Sequence, residues 1–295
     1  MLSSLTITIP ASTANLGPGF DSFGIALNIF NQVTIKKSPS PTALPSIVEE
    51  AANLFFKKTN QPPFPFSITI NGDVPRSRGL GSSVTVRLGV LMGLNQMTEN
   101  PLSSSELYHL CTSLEGHPDN AAAALFGGFT IARKDHAPLH YPVSAELFFV
   151  LLIPNFEIST NAARQLLPAT ITTTDAAANA ADAAVIATAF ATKNYDLLRG
   201  AFHDRLHQPF RTPLIPFLPN VLAAAEKAGA LGGWLSGSGS TIIALAQNHT
   251  TAKEVSLAMK TTAPPESKII ITTANNVTLL RKSDESLSAR SLSLS

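Results

Sequence analysis

The residues best suited to chemistry form one glycine- and serine-rich stretch between two apolar segments. It consists of Pro75, Arg76, Ser77, Arg78, Gly79, Leu80, Gly81, Ser82 and Ser83. A strand-like alternation precedes it and an apolar, helix-like run follows, so its backbone N–H groups would lie at the positive end of a helix dipole. Such a turn binds phosphate, and serine hydroxyls can also ligate Mg²⁺. A plain turn with a helix cap has the same pattern, and on these residues alone both interpretations remain open. Neither Gly-Lys-Ser/Thr nor Gly-x-Gly-x-x-Gly is present, which excludes the two usual nucleotide-binding motifs.

A second polar cluster follows a predicted helix and precedes another. It consists of Glu115, Gly116, His117, Pro118, Asp119 and Asn120. As local structure, it is a tight connection whose polar side chains cap helix ends. As chemistry, Glu115 completes a Mg²⁺ shell with Ser83, because Mg²⁺ prefers hard oxygen ligands and keeps several waters. Both interpretations remain open from the residues alone.

Two arginines, Arg164 and Arg211, are candidates for binding a small anion. A guanidinium can hold an α-carboxylate with two parallel hydrogen bonds, and a carboxylate such as Asp21 would hold an α-ammonium group. The alternative is that both arginines are ordinary solvated surface residues. His203 and His207 have the spacing of one helix face but lack further zinc ligands, so we expect them on a solvated face.

Alternating strands and helices must position these residues, which indicates an α+β fold. The pattern predicts strands over 5–9, 32–37, 64–71, 128–133, 147–153, 233–235, 241–246 and 268–273. It predicts helices over 44–58, 84–96, 105–114, 120–125, 176–192, 197–206 and 221–230, the third with a capping box. Residues 283–295 are serine-rich without periodicity, and we expect a disordered tail.

Composition restricts the class of protein. Of 295 residues, 44% are hydrophobic and 14% charged, which indicates a well-buried globular chain. Lys and Arg total 21 against 20 Asp and Glu with no basic stripe, so we expect neither nucleic acid nor a membrane as partner. The longest apolar run, 147–153, is far below the roughly 20 residues that span a bilayer. Cys111, the single cysteine, excludes an internal disulfide, and the first residues lack the features of a signal peptide. We therefore expect a cytoplasmic protein.

Two further glycine-rich turns lie near the start and the end of the chain. Residues 10–21 read Pro-Ala-Ser-Thr-Ala-Asn-Leu-Gly-Pro-Gly-Phe-Asp, and residues 232–240 read Gly-Gly-Trp-Leu-Ser-Gly-Ser-Gly-Ser. With these three motifs in order over 5–245, the chain resembles the GHMP kinases, the family that includes galactokinase and mevalonate kinase. The resemblance implies a domain like domain 2 of ribosomal protein S5 over 1–150 and a ferredoxin-like domain over 151–282. It leaves a homodimer open.

Within that family, Glu-Gly-His-Pro-Asp-Asn and the motif around Asn15 are similar to the homoserine kinases. This implies ATP and Mg²⁺ as cofactors and L-homoserine as the small-molecule substrate, phosphorylated on its side-chain hydroxyl for threonine biosynthesis. The 75–83 stretch would hold ATP, and Ser83 with Glu115 would hold Mg²⁺. The remaining roles would be acceptor binding by Asn15, Asp21, His117, Arg164 and Arg211, and catalysis by Asn120, Thr160 and Asp119. Whether Asp119 or any other group is the catalytic base stays open.

Two other functions fit the same fold: a kinase for mevalonate, a sugar or pantoate, and a ligand sensor without catalysis. The chain also departs from the family pattern. Val84, Thr85, Val86 and Arg87 stand where small residues are usual, and Ser240 replaces a proline. Residues 38–45 lack the asparagine-containing segment that often contacts adenine, so the purine preference stays open.

Overall fold

The computed structural model describes residues 2–134 and 136–279. The serine-rich tail predicted to be disordered, 283–295, lies outside the described residues. Within this part of the chain two antiparallel sheets are covered by helices, which confirms the predicted α+β class. No described helix is long and apolar enough to cross a membrane.

The first sheet and its helices come from the N-terminal half of the chain. Its strands are β1 (Ser4–Ala14), β2 (Phe23–Lys37), β3 (Phe66–Gly72), β4 (Phe129–Ile131) and β5 (Leu139–Tyr141). They run in the order β1-β2-β4-β5, and β3 also pairs with β2. The helices are α1 (Ser46–Thr59), α2 (Ser82–Met97), α3 (Ser104–Glu115) and α4 (Asp119–Phe126). Because α2 packs against β1, β2, α1, α3 and α4, most of its side chains are buried.

The second sheet has the topology of a ferredoxin-like domain. Its strands are β6 (Phe148–Ile153), β7 (Gly232–Leu235), β8 (Ile242–Ala246) and β9 (Lys268–Thr272), in the order β7-β8-β6-β9. The helices are α5 (Thr160–Gln165), α6 (Thr173–Thr192), α7 (Gln208–Arg211), α8 (Leu218–Lys227) and α9 (His249–Thr262). The strands with α8 and α9 follow one another as β-α-β-β-α-β, as predicted. The domain limits at 150 and 282 stay predictions.

The predicted helix over 197–206 is wrong. A 3₁₀ turn at Tyr195–Leu198 is followed by irregular chain. Gly200 has φ +76°, which ends the turn, and the carboxylate of Asp204 accepts hydrogen bonds from three following backbone N–H groups. These side-chain bonds replace the helical ones. The segment instead leads into α7, a short helix that was not predicted and that carries Arg211.

Candidate active site

One cavity of about 670 Å³ collects residues from all three glycine-rich motifs. The predicted phosphate stretch contributes Arg76 through Ser83, whereas Pro75 is absent from the lining among the described residues. The other predicted site residues all line it: Asn15, Asp21, Glu115, His117, Asp119, Asn120, Thr160, Arg164 and Arg211. Predicted site residues as distant in the sequence as Asn15 and Arg211, 196 positions apart, therefore face one space. Gly237 and Ser238 of the third motif complete its wall.

The phosphate stretch joins β3 to the start of α2 as the sequence predicted. Gly81 precedes α2 with φ +67°, and it has no side chain with which to cap the helix. A Cβ atom on Gly79, whose φ is +74°, would collide with the backbone carbonyl of Ser236. The loop is therefore restricted to glycine at both positions, and the first N–H groups of α2 lie beside the cavity without a side-chain cap among the described residues.

Backbone and hydroxyl contacts hold the three motifs together. The hydroxyl of Ser236 donates to the Gly79 carbonyl at 2.6 Å, and the Thr241 N–H donates to the Arg78 carbonyl at 3.2 Å. From the first motif, the Ser12 N–H donates to the Leu80 carbonyl at 3.2 Å. Because these bonds join three distant segments, the loop is held in place from two sides.

A hydroxyl and a carboxylate meet at the start of α2, where the sequence predicted a metal site. The Ser83 hydroxyl donates to Oε2 of Glu115 at 2.8 Å, and the Glu115 side chain is only 6% exposed. The other carboxylate oxygen, Oε1, accepts from Arg87 at 2.7 Å. Two hard oxygen donors beside the predicted phosphate loop fit the requirements of Mg²⁺.

A further part of the cavity lining is charged. Arg164 donates to both oxygens of Asp21 at 2.6 and 3.0 Å, and this pair is about one-third exposed. These hydrogen bonds raise the pKa of Arg164. The ring of Phe20 lies 5.4 Å from the guanidinium carbons of both Arg164 and Arg211. Two cations and one carboxylate thus surround an aromatic face, a pattern complementary to an α-amino acid zwitterion.

Arg211 is 2% exposed, which corrects the alternative that it is a solvated surface residue. Its guanidinium donates to the Gly237 carbonyl at 2.9 Å, to Nδ1 of His207 at 3.2 Å and to the Ala163 carbonyl at 3.4 Å. Burial lowers the pKa of Arg211 to about 10.

His207 is fully buried, so the expectation of a solvated histidine face is wrong. Its Nε2 donates to the Gly17 carbonyl at 3.0 Å, which leaves Nδ1 as an acceptor for Arg211. Burial lowers the pKa of His207 to about 4, so the ring is neutral near pH 7. The histidine therefore helps to position Arg211.

Asp119 and its neighbours His117 and Asn120 form another polar part of the cavity lining. Oδ1 of Asp119 lies 2.8 Å from Nδ1 of His117 and accepts from the Asn120 N–H at 2.7 Å. Burial lowers the pKa of His117, but the contact with Asp119 outweighs it and the net pKa is raised. The side-chain amide oxygen of Asn120 accepts from the Ser12 hydroxyl at 2.9 Å. At the start of α5, the Thr160 hydroxyl lies 3.3 Å from that of Ser238.

The sequence interpretation missed three kinds of contributor. Phe20 was overlooked although it stands within the first motif, next to Asp21. Arg87 was noticed only as a departure from the family pattern, and its i, i+4 spacing from Ser83 was the available signal. His207 immediately precedes α7, the short helix that carries Arg211, but nothing in its spacing indicates burial.

The cavity lining also includes apolar residues. They are Pro45, Ile47, Ile70, Val74 and Val86, and the buried Asn31 also lines the cavity. The amide of Asn31 donates to the Thr85 hydroxyl at 2.8 Å and accepts from the Val74 N–H at 3.3 Å. Its hydrogen-bonding groups therefore serve the protein itself.

Comparison with known proteins identifies the family of the chain. The GHMP kinases N terminal domain model matches residues 46–128 and the GHMP kinases C terminal model matches 186–264. A homoserine kinase of Moorella thermoacetica is 40% identical over 259 residues, which cover 82% of this chain and 88% of that protein. A homoserine kinase of Synechocystis is 38% identical over 265 residues, which cover 82% of this chain and 86% of that protein.

Solved structures extend the likeness to three dimensions. The crystal structure of a homoserine kinase from Cytophaga hutchinsonii matches with a TM-score of 0.85 at 27% identity, covering 94% of this chain and 96% of that one. A mevalonate kinase structure matches with a TM-score of 0.69 at 16% identity and covers 92% of this chain and 100% of that one. At this identity the match shows only that the two proteins share a fold. The chain therefore belongs to the homoserine kinase family of the GHMP kinases and has their two-part α+β fold.

Proposed function

We propose that the protein transfers the γ-phosphoryl group of ATP to the side-chain hydroxyl of L-homoserine, giving O-phospho-L-homoserine and ADP. One observation carries the proposal. A phosphate loop with a hydroxyl–carboxylate pair and a zwitterion-complementary set of charges share one cavity. The relatives with 36–40% identity over most of the chain are homoserine kinases, which supports the same reaction.

On the donor side, the chain's own groups bind and orient the triphosphate. The N–H groups at the start of α2 would hold the phosphate oxygens, and the apolar lining residues, such as Ile47 and Val86, would hold the nucleobase. Ser83 and Glu115 would ligate Mg²⁺, which when bound neutralises the charge on the phosphate oxygens. Because phosphoryl transfer depends mainly on alignment and charge neutralisation, this cradle supplies much of what the reaction needs.

On the acceptor side, the substrate would share the existing ion pair. Its α-carboxylate would lie against Arg211 and Arg164, and its α-ammonium group against Asp21. Asn15 contributes to the shape of the site, since its amide donates to the Gly237 carbonyl at 3.0 Å and accepts from the Asp21 N–H at 3.1 Å. We propose that the side-chain hydroxyl of the substrate would then extend toward the Gly79–Ser83 turn, which lines the same cavity.

The hydroxyl proton needs an acceptor when the substrate attacks. Asp119 is only 2% exposed, and its Oδ1 is engaged by His117 and Asn120. This engagement argues against Asp119 as a free base, and we favour direct attack in which the proton passes to the phosphate or to solvent. Asp119 with Asn120 and Thr160 would then orient the reacting groups.

The setting of the reaction is also a proposal. Homoserine phosphorylation is a step in threonine biosynthesis, and the balance of 21 basic against 20 acidic residues gives no reason to expect nucleic acid or a membrane as partner. We also propose that the protein is cytoplasmic, because its single cysteine cannot form an internal disulfide. Whether it forms a homodimer stays open.

An acceptor panel tests the function. ADP release from Mg-ATP is measured with L-homoserine, mevalonate, pantoate, galactose and shikimate. We expect release that depends on homoserine alone. Release with mevalonate or a sugar in its place would favour another kinase of the family, and binding of nucleotide without release on any acceptor would favour a sensor.

A further inference from the structure

Arg87 lies one helical turn after Ser83 on α2, so both side chains reach the same neighbour. That neighbour is Glu115, the last residue of α3. The Ser83 hydroxyl donates to Oε2, and a terminal guanidinium nitrogen of Arg87 donates to Oε1 at 2.7 Å. Each oxygen of the carboxylate therefore has its own donor, both supplied by one rigid helix.

A second carboxylate fixes the arginine from outside. The other terminal nitrogen of Arg87 donates to Glu50 of α1 at 3.0 Å, and the Glu50 side chain is 53% exposed. Arg87 itself is 14% exposed and Glu115 6%, so exposure decreases along the chain of contacts from the surface to the cavity. Burial opposes the charge of Arg87, yet attraction to Glu115 outweighs it and the pKa of Arg87 is raised.

The local backbone gives Glu115 little support of its own. The helix α3 ends at this residue, and Gly116 follows with φ +80°. A Cβ atom added to Gly116 would have none of the described residues within 4 Å, apart from its chain neighbours. Without Arg87, the Ser83 hydroxyl would be the one remaining side-chain hydrogen-bond partner of the carboxylate within residues 2–134 and 136–279, and the carboxylate could rotate about its terminal torsion.

We propose that Arg87 is a positioning residue that holds Glu115 so that Oε2 faces the phosphate loop as a single-oxygen metal ligand. The role rests on the proposed function only in that Glu115 and Ser83 ligate the metal of the nucleotide. A partner that hydrogen-bonds a ligating carboxylate fixes its orientation, and loss of such partners weakens metal binding. The nearby positive charge acts in the opposite direction, since it repels a divalent cation. The gain from orienting the Glu115 carboxylate outweighs the repulsion between Arg87 and the cation.

The test measures Mn²⁺ affinity by electron paramagnetic resonance, with Mn²⁺ in place of Mg²⁺ and a non-hydrolysable ATP analogue bound. We expect Arg87→Met to weaken Mn²⁺ binding by about 10- to 100-fold. Arg87→Lys keeps the charge but lacks the two separate terminal nitrogens that reach Glu115 and Glu50, so it should recover only part of the loss. Arg205→Met is the matched control, because Arg205 contacts Asp182 at 3.1 Å and Asp175 at 3.9 Å outside the cavity lining described. It should leave Mn²⁺ affinity unchanged.

A variant at the surface residue Glu50 can test the proposal even if Arg87→Met does not fold. Glu50→Ala removes only the outer anchor of Arg87, and we expect a smaller but measurable weakening of Mn²⁺ binding. Equal or tighter Mn²⁺ binding in Arg87→Met, or in Glu50→Ala when the former does not fold, would overturn the positioning role. If the unsubstituted protein binds the analogue without Mn²⁺ near it, both this role and the proposed metal site are wrong.

Discussion

The burial of Arg211 leads to a quantitative expectation for substrate recognition. Three of its contacts are to the protein: His207, the Gly237 carbonyl and the Ala163 carbonyl. The guanidinium also lines the cavity, where the acceptor's α-carboxylate would add a charge-assisted hydrogen bond. Such a bond contributes about 1.5–3 kcal/mol, which corresponds to roughly a 10- to 150-fold change in kcat/KM.

The assay compares two acceptors in two proteins. L-homoserine carries the α-carboxylate, and 3-aminopropan-1-ol is the same molecule without it. Replacing Arg211 by Met should lower kcat/KM by roughly 10- to 150-fold for homoserine. The same substitution should change kcat/KM for 3-aminopropan-1-ol little, because that acceptor never made the bond. Comparing the two acceptors therefore distinguishes a loss of carboxylate binding from a general disturbance of the site.

A structural role for Arg211 would show itself differently. If the substitution lowered kcat/KM equally for both acceptors, the arginine would support the fold of the site and would not contact the carboxylate. Arg164→Met offers a comparison, since it also removes the bidentate partner of Asp21. We expect it to impair both acceptors, because Asp21 would lose its orientation toward the ammonium group.

Two further expectations concern pH and the phosphate loop. Burial lowers the pKa of His207 to about 4, below its usual 6.5, so the unfolded chain binds this proton first as pH falls. The stability that the neutral His207 ring contributes to the folded protein is therefore present above pH 6.5 and is lost between about pH 6.5 and 4. An NMR titration that gave His207 a pKa of 6 or more would contradict this expectation. Gly79→Ala should weaken binding of a non-hydrolysable ATP analogue far more than Gly200→Ala does. Both glycines have positive φ, +74° and +76°, but only at Gly79 does a Cβ meet neighbouring atoms within 4 Å, so equal effects would contradict the loop geometry.

Much of the fold follows from local pattern. The capping box at the start of α3 forms as predicted: the Ser103 hydroxyl accepts from the Glu106 N–H at 3.3 Å, and the Glu106 carboxylate accepts from the Ser103 N–H at 2.9 Å. The alanine-rich stretch is the helix α6, Thr173–Thr192, since alanine needs no special packing to favour a helix. These features depend on residues a few positions apart, which a sequence displays directly.

The parts that could not be predicted depend on distant contacts. The strand β1 continues to Ala14, beyond the predicted end at residue 9, because Pro10 to Ala14 pair with β2 across a register shift. The burial of His207 depends on Gly17 and Arg211, and the bridge through Arg87 joins three helices. Burial of that kind follows from the packing of distant segments, and no spacing rule within one segment expresses it.

The transferred phosphorus atom offers the most direct measurement of the proposed reaction. The protein is incubated with Mg²⁺, ATP labelled in the γ-phosphoryl group and L-homoserine, and the products are followed by ³¹P NMR and by the label. We predict one equivalent of a phosphate monoester on the homoserine hydroxyl for each ADP formed. Label recovered only as inorganic phosphate, or ATP left intact in the presence of homoserine, would contradict the reaction.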